Sequence, residues 1–424
     1  MNIDDNAAEG AHRVRVRAYL DDHHGELVHG MGREGGRAER VEALRRTQRV
    51  LAEGGLVGVM WPREHGGGGG SMMEQVIVDA ELDRAGVPPL IGQIGLGMCG
   101  PTIIAHGTAE QQQRFLGPLL RADEIWAQLF SEPGSGSDLA GLTTRAEAVE
   151  GGWNLNGQKV WTSGAQWSAW GIILVRTDRT VAKHRGLTML ILDMSAPGVT
   201  IRPLRQMSGD SGFSEVFLAD VFVPAEHLLG GVGDGWRVAL TTLMNERVAL
   251  GGSGSDLGVG IEQLAELVAH RLPELGADEQ AHVRHELGRA YVDTLAARMT
   301  GWRRLTALSK GAEPGPEASA GKLAGIALAR RVADLGVRLQ GDEAVFSGGL
   351  GEDHPWQYVQ ALLPGLAIAG GTDQVLRNIL GERVLGLPAE PRTDKLAPTS
   401  TPERAPVAAV DADTTLATLV PSGA

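Results

Sequence analysis

The sequence predicts a multidomain α+β protein, and three features predict it. Apolar residues recur at helical intervals as far as Asp123, strand-like alternation and apolar runs fill 124–230, and the helical period then returns. Domains are expected over 1–123 (helical), 124–230 (antiparallel β) and 231–388 (helical). A tail over 389–424 is rich in Pro, Thr and Ala without periodicity and reads as disordered.

In the first domain Val41, Leu44, Val50, Leu51 and Leu56 recur at helical spacing, and Gly54-Gly55 should end that helix. Trp61-Pro62 leads into a glycine run, Gly66 to Gly70. It reads as a connector rather than a phosphate cradle, because no strand precedes it and no Lys-Ser/Thr follows it. Met72 to Arg84 reads as a helix, and Glu110 to Leu120 as another capped by Thr108. His106, before Gly107, reads as a turn or cap residue.

In the second domain Trp153 to Trp161 alternates around Asn156-Gly157, a pair favoured in tight hairpin turns. Gly171 to Val175 and Leu187 to Leu192 suit buried strands. Val199 to Leu204 and Glu215 to Val223 alternate, the second ending at Pro224. In the third, Trp236, Leu240, Leu243 and Leu250 mark one helical stripe, and Ile261 to Leu272, Val283 to Leu308 and Ala318 to Leu339 continue the period. Gly311 to Pro316 is a loop between helices. A last helix runs from Asp373 to Leu385, after Gly370-Gly371-Thr372 and before Gly386 and Pro388.

A chain of 424 residues can bury a large core, and 42% hydrophobic with 21% charged residues is an ordinary soluble composition. A net charge of −13 argues against nucleic acid or an anionic membrane as the main partner. Cys99 is the only cysteine, so no intrachain disulfide is expected. No signal-like start and no membrane-length apolar run is present, so the cytoplasm is the expected compartment.

One stretch carries more chemistry than the rest. Trp126 to Gly141 reads W-A-Q-L-F-S-E-P-G-S-G-S-D-L-A-G, an apolar run entering a loop of Ser131, Ser135, Ser137 and glycines closed by Asp138. Gly157 to Gly164 repeats that recipe with the indole of Trp161 added. Hydroxyls, approachable backbone N–H groups and an aromatic wall suit a planar cofactor with a polar rim. Two ordinary Gly/Ser turns in a β-rich domain would account for the same letters.

S-E-P-G-S-G-S-D-x-x-G followed by N-G-Q-K-x-W resembles the acyl-CoA dehydrogenases, a flavoprotein family. Trp61 to Gly67, Gly230 to Arg247, Gly371 to Gln374 and Glu382 to Gly386 extend the resemblance in the family's order across most of the chain. The resemblance implies that family's fold, in which the C-terminal helices form a four-helix bundle. It also implies FAD as cofactor, an acyl-CoA as substrate and an electron-transferring flavoprotein as acceptor, in a homo-oligomer.

α,β-Dehydrogenation of a thioester needs a base for the α-proton, donors for the developing enolate and a hydride acceptor, which no side chain can be. Glu246 lies three residues after Leu243 and four before Leu250, on the apolar stripe of a predicted helix. A carboxylate there is either a structural partner, for instance of Arg247, or functional. The resemblance implies the second. One family position for the base precedes the last helix in a Glu-Gly-Thr motif, and Gly370 stands there in this chain. The other, used by isovaleryl and long-chain members, is the Glu of Leu-x-x-Glu-Arg, matched by Leu243 to Arg247. Glu246 is therefore the implied base and Asp373 the fallback. Gly370 would keep its N–H as an oxyanion donor, and Arg247 would order the pocket.

Carried over by motif, Ser131 would face the flavin edge and Ser137 the pyrophosphate or the bound thioester ligand. Trp161 and Ser163 would pack on and bond to the isoalloxazine, Thr372 and Gln374 would reach FAD near the last helix, and Gly341 would lie beside the adenosine. The chain departs from the pattern in three places. Phe130 replaces a smaller residue, Gln340 replaces the first glycine of a pair, and Arg271-Leu272-Pro273-Glu274 occupies the region of an Arg-x-x-Phe-Gly motif that grips a neighbour's FAD. Two alternatives follow: a weakly flavin-binding subunit of a heteromeric dehydrogenase, or a flavin oxygenase on the same fold that needs no base at Glu246.

Overall fold

A computed structural model of the protein describes residues 5–28, 37–252, 259–310, 315–346 and 355–389. The tail predicted as disordered lies outside the described residues but for residue 389, as does most of the loop at Gly311 to Pro316.

Five helices come first: α1 (Ala7–Val28), α2 (Arg37–Glu53), α3 (Met72–Arg84), α4 (Gly100–His106) and α5 (Ala109–Leu120). α2 stops where predicted, with Gly55 left-handed at φ 68°. Ser71 and Thr108 close capping boxes on α3 and α5. The glycine run packs against the 58–61 backbone: Gly68, Gly69 and Gly70 donate their N–H groups to the carbonyls of Gly58, Trp61 and Val59. A Cβ at Gly67 would sit 2.3 Å from that of Trp61, so close approach demands glycine and no cradle remains.

Eight strands follow: β1 (Trp126–Leu129), β2 (Arg145–Val149), β3 (Gly152–Ser163), β4 (Trp170–Arg176), β5 (Leu187–Asp193), β6 (Val199–Leu204), β7 (Phe213–Pro224) and β8 (Leu228–Leu229). They form one sheet in the order β6-β7-β3-β2-β4-β5-β8, with β1 beside β4. Most pairs are antiparallel; β1 and β2 meet β4 in parallel. β4 and β5 read as apolar runs because both their faces are covered. Ile172, Leu174, Met189 and Ile191 join the helical core of α1, α2 and α5, whereas Ile173, Val175, Leu190 and Leu192 face β3 and β7.

Asn156-Gly157 is not a hairpin turn. β3 runs straight through it, and the β2–β3 turn lies at Glu150-Gly151, with Val149 opposite Gly152. Asn156 is occupied across the strands, where its side chain donates to the Asp220 carboxylate (2.9 Å) and accepts the Asp220 N–H (3.1 Å). Gly157 marks an irregularity in register, and a Cβ there would meet Thr144 Oγ1 at 2.5 Å.

The C-terminal region holds α6 (Gly235–Gly252), α7 (Ile261–Arg271), α8 (Ala277–Ser309), α9 (Ala318–Gln340), α10 (Glu343–Phe346), α11 (Pro355–Ile368) and α12 (Asp373–Arg383). Trp236 and Leu243 of the predicted stripe pack on the core, but Leu240 is 41% exposed and the Leu250 side chain lies outside the described residues; among the described side chains of α6 the fully buried ones are Val238, Ala239 and Thr242. Thr242 is held there by a polar contact: it bonds Thr102 of α4 inside the core (2.9 Å), and a hydroxyl hides that face from a hydrophobic pattern. α9 is the centre of the bundle, with α7, α8, α11 and α12 packed on it.

Candidate active site

The Ser-Glu-Pro-Gly-Ser-Gly-Ser loop is anchored by a buried ion pair. Glu132 and Ser135 exchange backbone hydrogen bonds (2.9 and 3.0 Å), making a tight turn with Pro133 and Gly134 exposed at its tip. The Glu132 carboxylate accepts from Thr143 N–H (2.7 Å) and Thr143 Oγ1 (2.8 Å), from Thr144 N–H (2.8 Å), and from Lys159 Nζ (3.0 Å). Burial pushes this carboxyl up, but the Lys159 ammonium and the Thr143 and Thr144 donors outweigh it and hold it below its usual range. Burial pushes Lys159 down against the pull of Glu132. Buried Arg176 completes the frame by donating to the carbonyls of Ala140, Leu142 and Lys183.

Ser131, Trp161 and Ser163 are brought together by this frame. The Val160 N–H donates to the Ser131 carbonyl (2.9 Å), which places Ser131 against β3 one residue before Trp161. Trp161 sits in an irregular stretch of the β3–β7 register with φ 58°, is 59% exposed, and meets Phe213 edge-on at 5.9 Å between centroids. Ser131 and Ser163 are half-buried beside it, and Ser137 is exposed on the loop. A non-glycine residue held at positive φ with its indole displayed, flanked by hydroxyls, fits one face and edge of a planar ring such as the isoalloxazine of FAD.

A second cluster forms in the helical bundle. Lys322 of α9 donates to the carbonyls of Ala369 and Gly371, the latter at 2.6 Å. Burial pushes the Lys322 ammonium down, while the carboxylates of Asp373 and Glu246 draw it back up. Glu246 of α6 and Asp373 are thus both within electrostatic reach of Lys322. Gly370 and Gly371 are left-handed, at φ 62° and 97°. Thr372 caps α12 by accepting the Val375 N–H (3.2 Å), and Asp373 follows in its first turn with a buried Oδ1 that has no hydrogen-bond partner among the described residues. Arg247 follows Glu246 on α6, its side chain lying outside the described residues.

Some of the carried-over residues do not meet within one chain. Gly341 caps the far end of α9, 19 residues from Lys322 and so roughly 28 Å along the helix from the Thr372 turn. Gln374 is exposed, and Arg271 is bound inside the chain to Glu274 and Glu343. Reading motifs as ligand-binding letters missed Glu132 and Lys159 as the frame of the loop. It also missed Lys322, a single lysine in an Ala/Gly-rich helix, which no local pattern distinguishes.

Comparison with known families covers most of the chain. The family descriptions acyl-CoA dehydrogenase N-terminal, middle and C-terminal domain match residues 7–123, 127–221 and 233–385. IpdE1 of Mycobacterium tuberculosis, an acyl-CoA dehydrogenase, is 37% identical over 384 residues, covering 89% of this chain and 97% of that protein.

The chain belongs to the acyl-CoA dehydrogenase family.

FadE34 of Mycobacterium tuberculosis, another acyl-CoA dehydrogenase, is 43% identical over 347 residues, 81% of this chain but 46% of that longer protein. Among solved structures, the "Tcur3481-Tcur3483 steroid ACAD" superposes with a TM-score of 0.76 at 28% identity, covering 92% of this chain and all of that one. The ChsE4-ChsE5 complex from Mycobacterium tuberculosis gives 0.76 at 30%, with 92% of this chain and 100% of that chain covered. Acyl-CoA dehydrogenases are FAD-dependent oxidoreductases, and the helix–sheet–helix order here is the family's fold. Among the described residues no helix is long and apolar enough to cross a membrane.

Proposed function

We propose that this chain catalyses the FAD-dependent α,β-dehydrogenation of an acyl-CoA thioester to a 2-enoyl-CoA, with Glu246 as base. The observation that supports the reading is Lys322, which holds the carbonyls of Ala369 and Gly371 on either side of Gly370 and feels the carboxylates of Glu246 and Asp373. Glu246 removes the α-proton, and the Gly370 N–H supports the thioester oxygen as enolate charge develops. Arg247 orders the pocket. Ser131, Trp161 and Ser163 hold the ring end of FAD, and Ser137, Thr372, Gln374 and Gly341 serve the rest of it, the last from a neighbouring subunit of an oligomer. Bound there, FAD supplies the acceptor for the β-hydrogen, taken as hydride. An electron-transferring flavoprotein then takes the electrons.

The test is a visible spectrum of the purified protein, then anaerobic addition of acyl-CoAs. One of the solved relatives is titled a steroid enzyme, so a steroid-bearing acyl-CoA belongs in the panel. Bleaching of a flavin band supports the reading. Glu246→Gln should keep the band and lose about 10²–10⁴-fold in turnover. Retained turnover, lost instead in Asp373→Asn, would move the base to Asp373.

A second reading is the weakly flavin-binding subunit of a heteromer. Arg271, in the region of the family's neighbour-gripping motif, is instead tied to Glu274 and Glu343, and two solved relatives are titled with two named components. Colourless protein that takes up no added FAD would favour it. A flavin oxygenase is the remaining alternative; it would keep its activity in Glu246→Gln.

A further inference from the structure

We propose that Lys322 is a positioning residue that sets the direction of the Gly370 N–H by holding the carbonyls of Ala369 and Gly371. The inference rests on the dehydrogenase reading for its functional half, and on geometry alone for its structural half.

The argument begins with the peptide plane. The Ala369 carbonyl and the Gly370 N–H belong to one peptide unit, and in a planar trans unit they point in opposite directions. An ammonium that holds the carbonyl therefore fixes where the N–H points. The Gly371 carbonyl, held at 2.6 Å, fixes the Thr372 N–H in the same way.

Two glycines in succession make this clamp necessary. Gly370 and Gly371 are both left-handed, and glycine has more conformational freedom to lose than any other residue. The Thr372 cap fixes the start of α12, but it lies beyond both glycines. Lys322 reaches them from α9, the helix on which the bundle is built. The carboxylates of Glu246 and Asp373 also act electrostatically on this ammonium. A preorganised donor is worth most when it does not have to reorient during reaction.

The experiment compares full-length wild type with Lys322→Met and Lys322→Arg. Hydrogen exchange is read over residues 366–374, and kcat and KM with the acyl-CoA that bleaches the wild-type flavin. In Lys322→Met, exchange in this segment is expected to quicken at least about tenfold, while the sheet stays protected. kcat is expected to fall about 10- to 100-fold with KM changed less than about threefold. Lys322→Arg, which keeps donors for both carbonyls, restores most of both. If Lys322→Met does not fold, Lys322→Gln, a shorter neutral donor, is read in the same way. Unchanged exchange overturns the clamp, and faster exchange with wild-type kcat overturns its role in the reaction. Faster exchange in a chain whose wild type turns over no acyl-CoA leaves the clamp standing and removes the dehydrogenase reading instead.

Discussion

Lys159 Nζ lies 3.0 Å from Glu132 Oε1 and 3.0 Å from the Phe130 carbonyl, so one buried ammonium holds both neighbours of Ser131. Neither side chain has appreciable access to water. The pair therefore resists change at one end only. Lys159→Met leaves a buried carboxylate short of its strongest partner and should cost about 3–5 kcal/mol. Replacing both, as Glu132→Gln with Lys159→Met, should recover part of that loss because no uncompensated charge remains. Thermal melts of wild type and the two variants check it. A single variant as stable as wild type would show that the pair does not hold the loop.

Glu81, only 2% exposed, is the acid-sensitive point of the helical region. Arg17 binds both its oxygens (2.9 and 2.8 Å), and Arg84 (2.7 Å) and Arg13 (3.1 Å) add to them. Arg17 first, then Arg84 and Arg13, outweigh burial and bring its pKa from 4.5 down to about 2. A folded-state pKa lowered in this way stabilises the fold above the ordinary carboxylate range and is lost as pH falls from 4.5 towards about 2. Screening at the partly exposed arginines limits the effect to roughly 1–2 kcal/mol. Urea midpoints measured from pH 7 downward should fall below pH 4.5, and less steeply in Glu81→Gln. Identical slopes in the two proteins would remove Glu81 from the account.

Much of the fold was legible because each element follows its own period. α3 and the start of α12 lie where periodicity puts them, and α5 starts at the Thr108 cap that the sequence displays. The failures have physical causes. Asn156-Gly157 looks like a turn, yet here the glycine is needed for closeness to Thr144 and the asparagine for a cross-strand bond to Asp220. Thr242 was invisible as a core residue because its partner, Thr102, is 140 residues away. The site divides in the same way. Glu246 stood out as a carboxylate on an apolar stripe, while Lys322 matters only through carbonyls that tertiary packing brings to it.

Gly336 should respond to alanine with the opposite sign from ordinary helical glycines. In an exposed helix the exchange gains about 1 kcal/mol of helix propensity. Here a Cβ would stand 2.2 Å from Trp356 Cε3, where α9 and α11 meet. Overpacking costs about 1–3 kcal/mol, so Gly336→Ala should lower the melting temperature. Gly336→Ala with Trp356→Phe, which makes room, should regain part of the loss. A stabilised single variant would mean that the indole moves aside freely.

Trp161 separates stability from cofactor binding. Its φ of 58° is in a region that a bulky residue occupies only at a cost, of order 1–3 kcal/mol. The indole recovers little of this by packing, since it is 59% exposed and touches Phe213 by an edge. Glycine accepts the same backbone without strain. Trp161→Gly should therefore leave the flavin-free protein as stable as before, or about 1 kcal/mol more stable. If the indole forms one wall of the flavin site, the same change should weaken FAD binding about tenfold, through loss of an aromatic contact worth roughly 1 kcal/mol and of its buried area. Melting of the flavin-free protein and titration with FAD measure the two effects separately. Opposite signs would place Trp161 at the cofactor. A variant that is less stable but binds FAD as tightly would make the indole a structural residue and leave the positive φ without a functional reason.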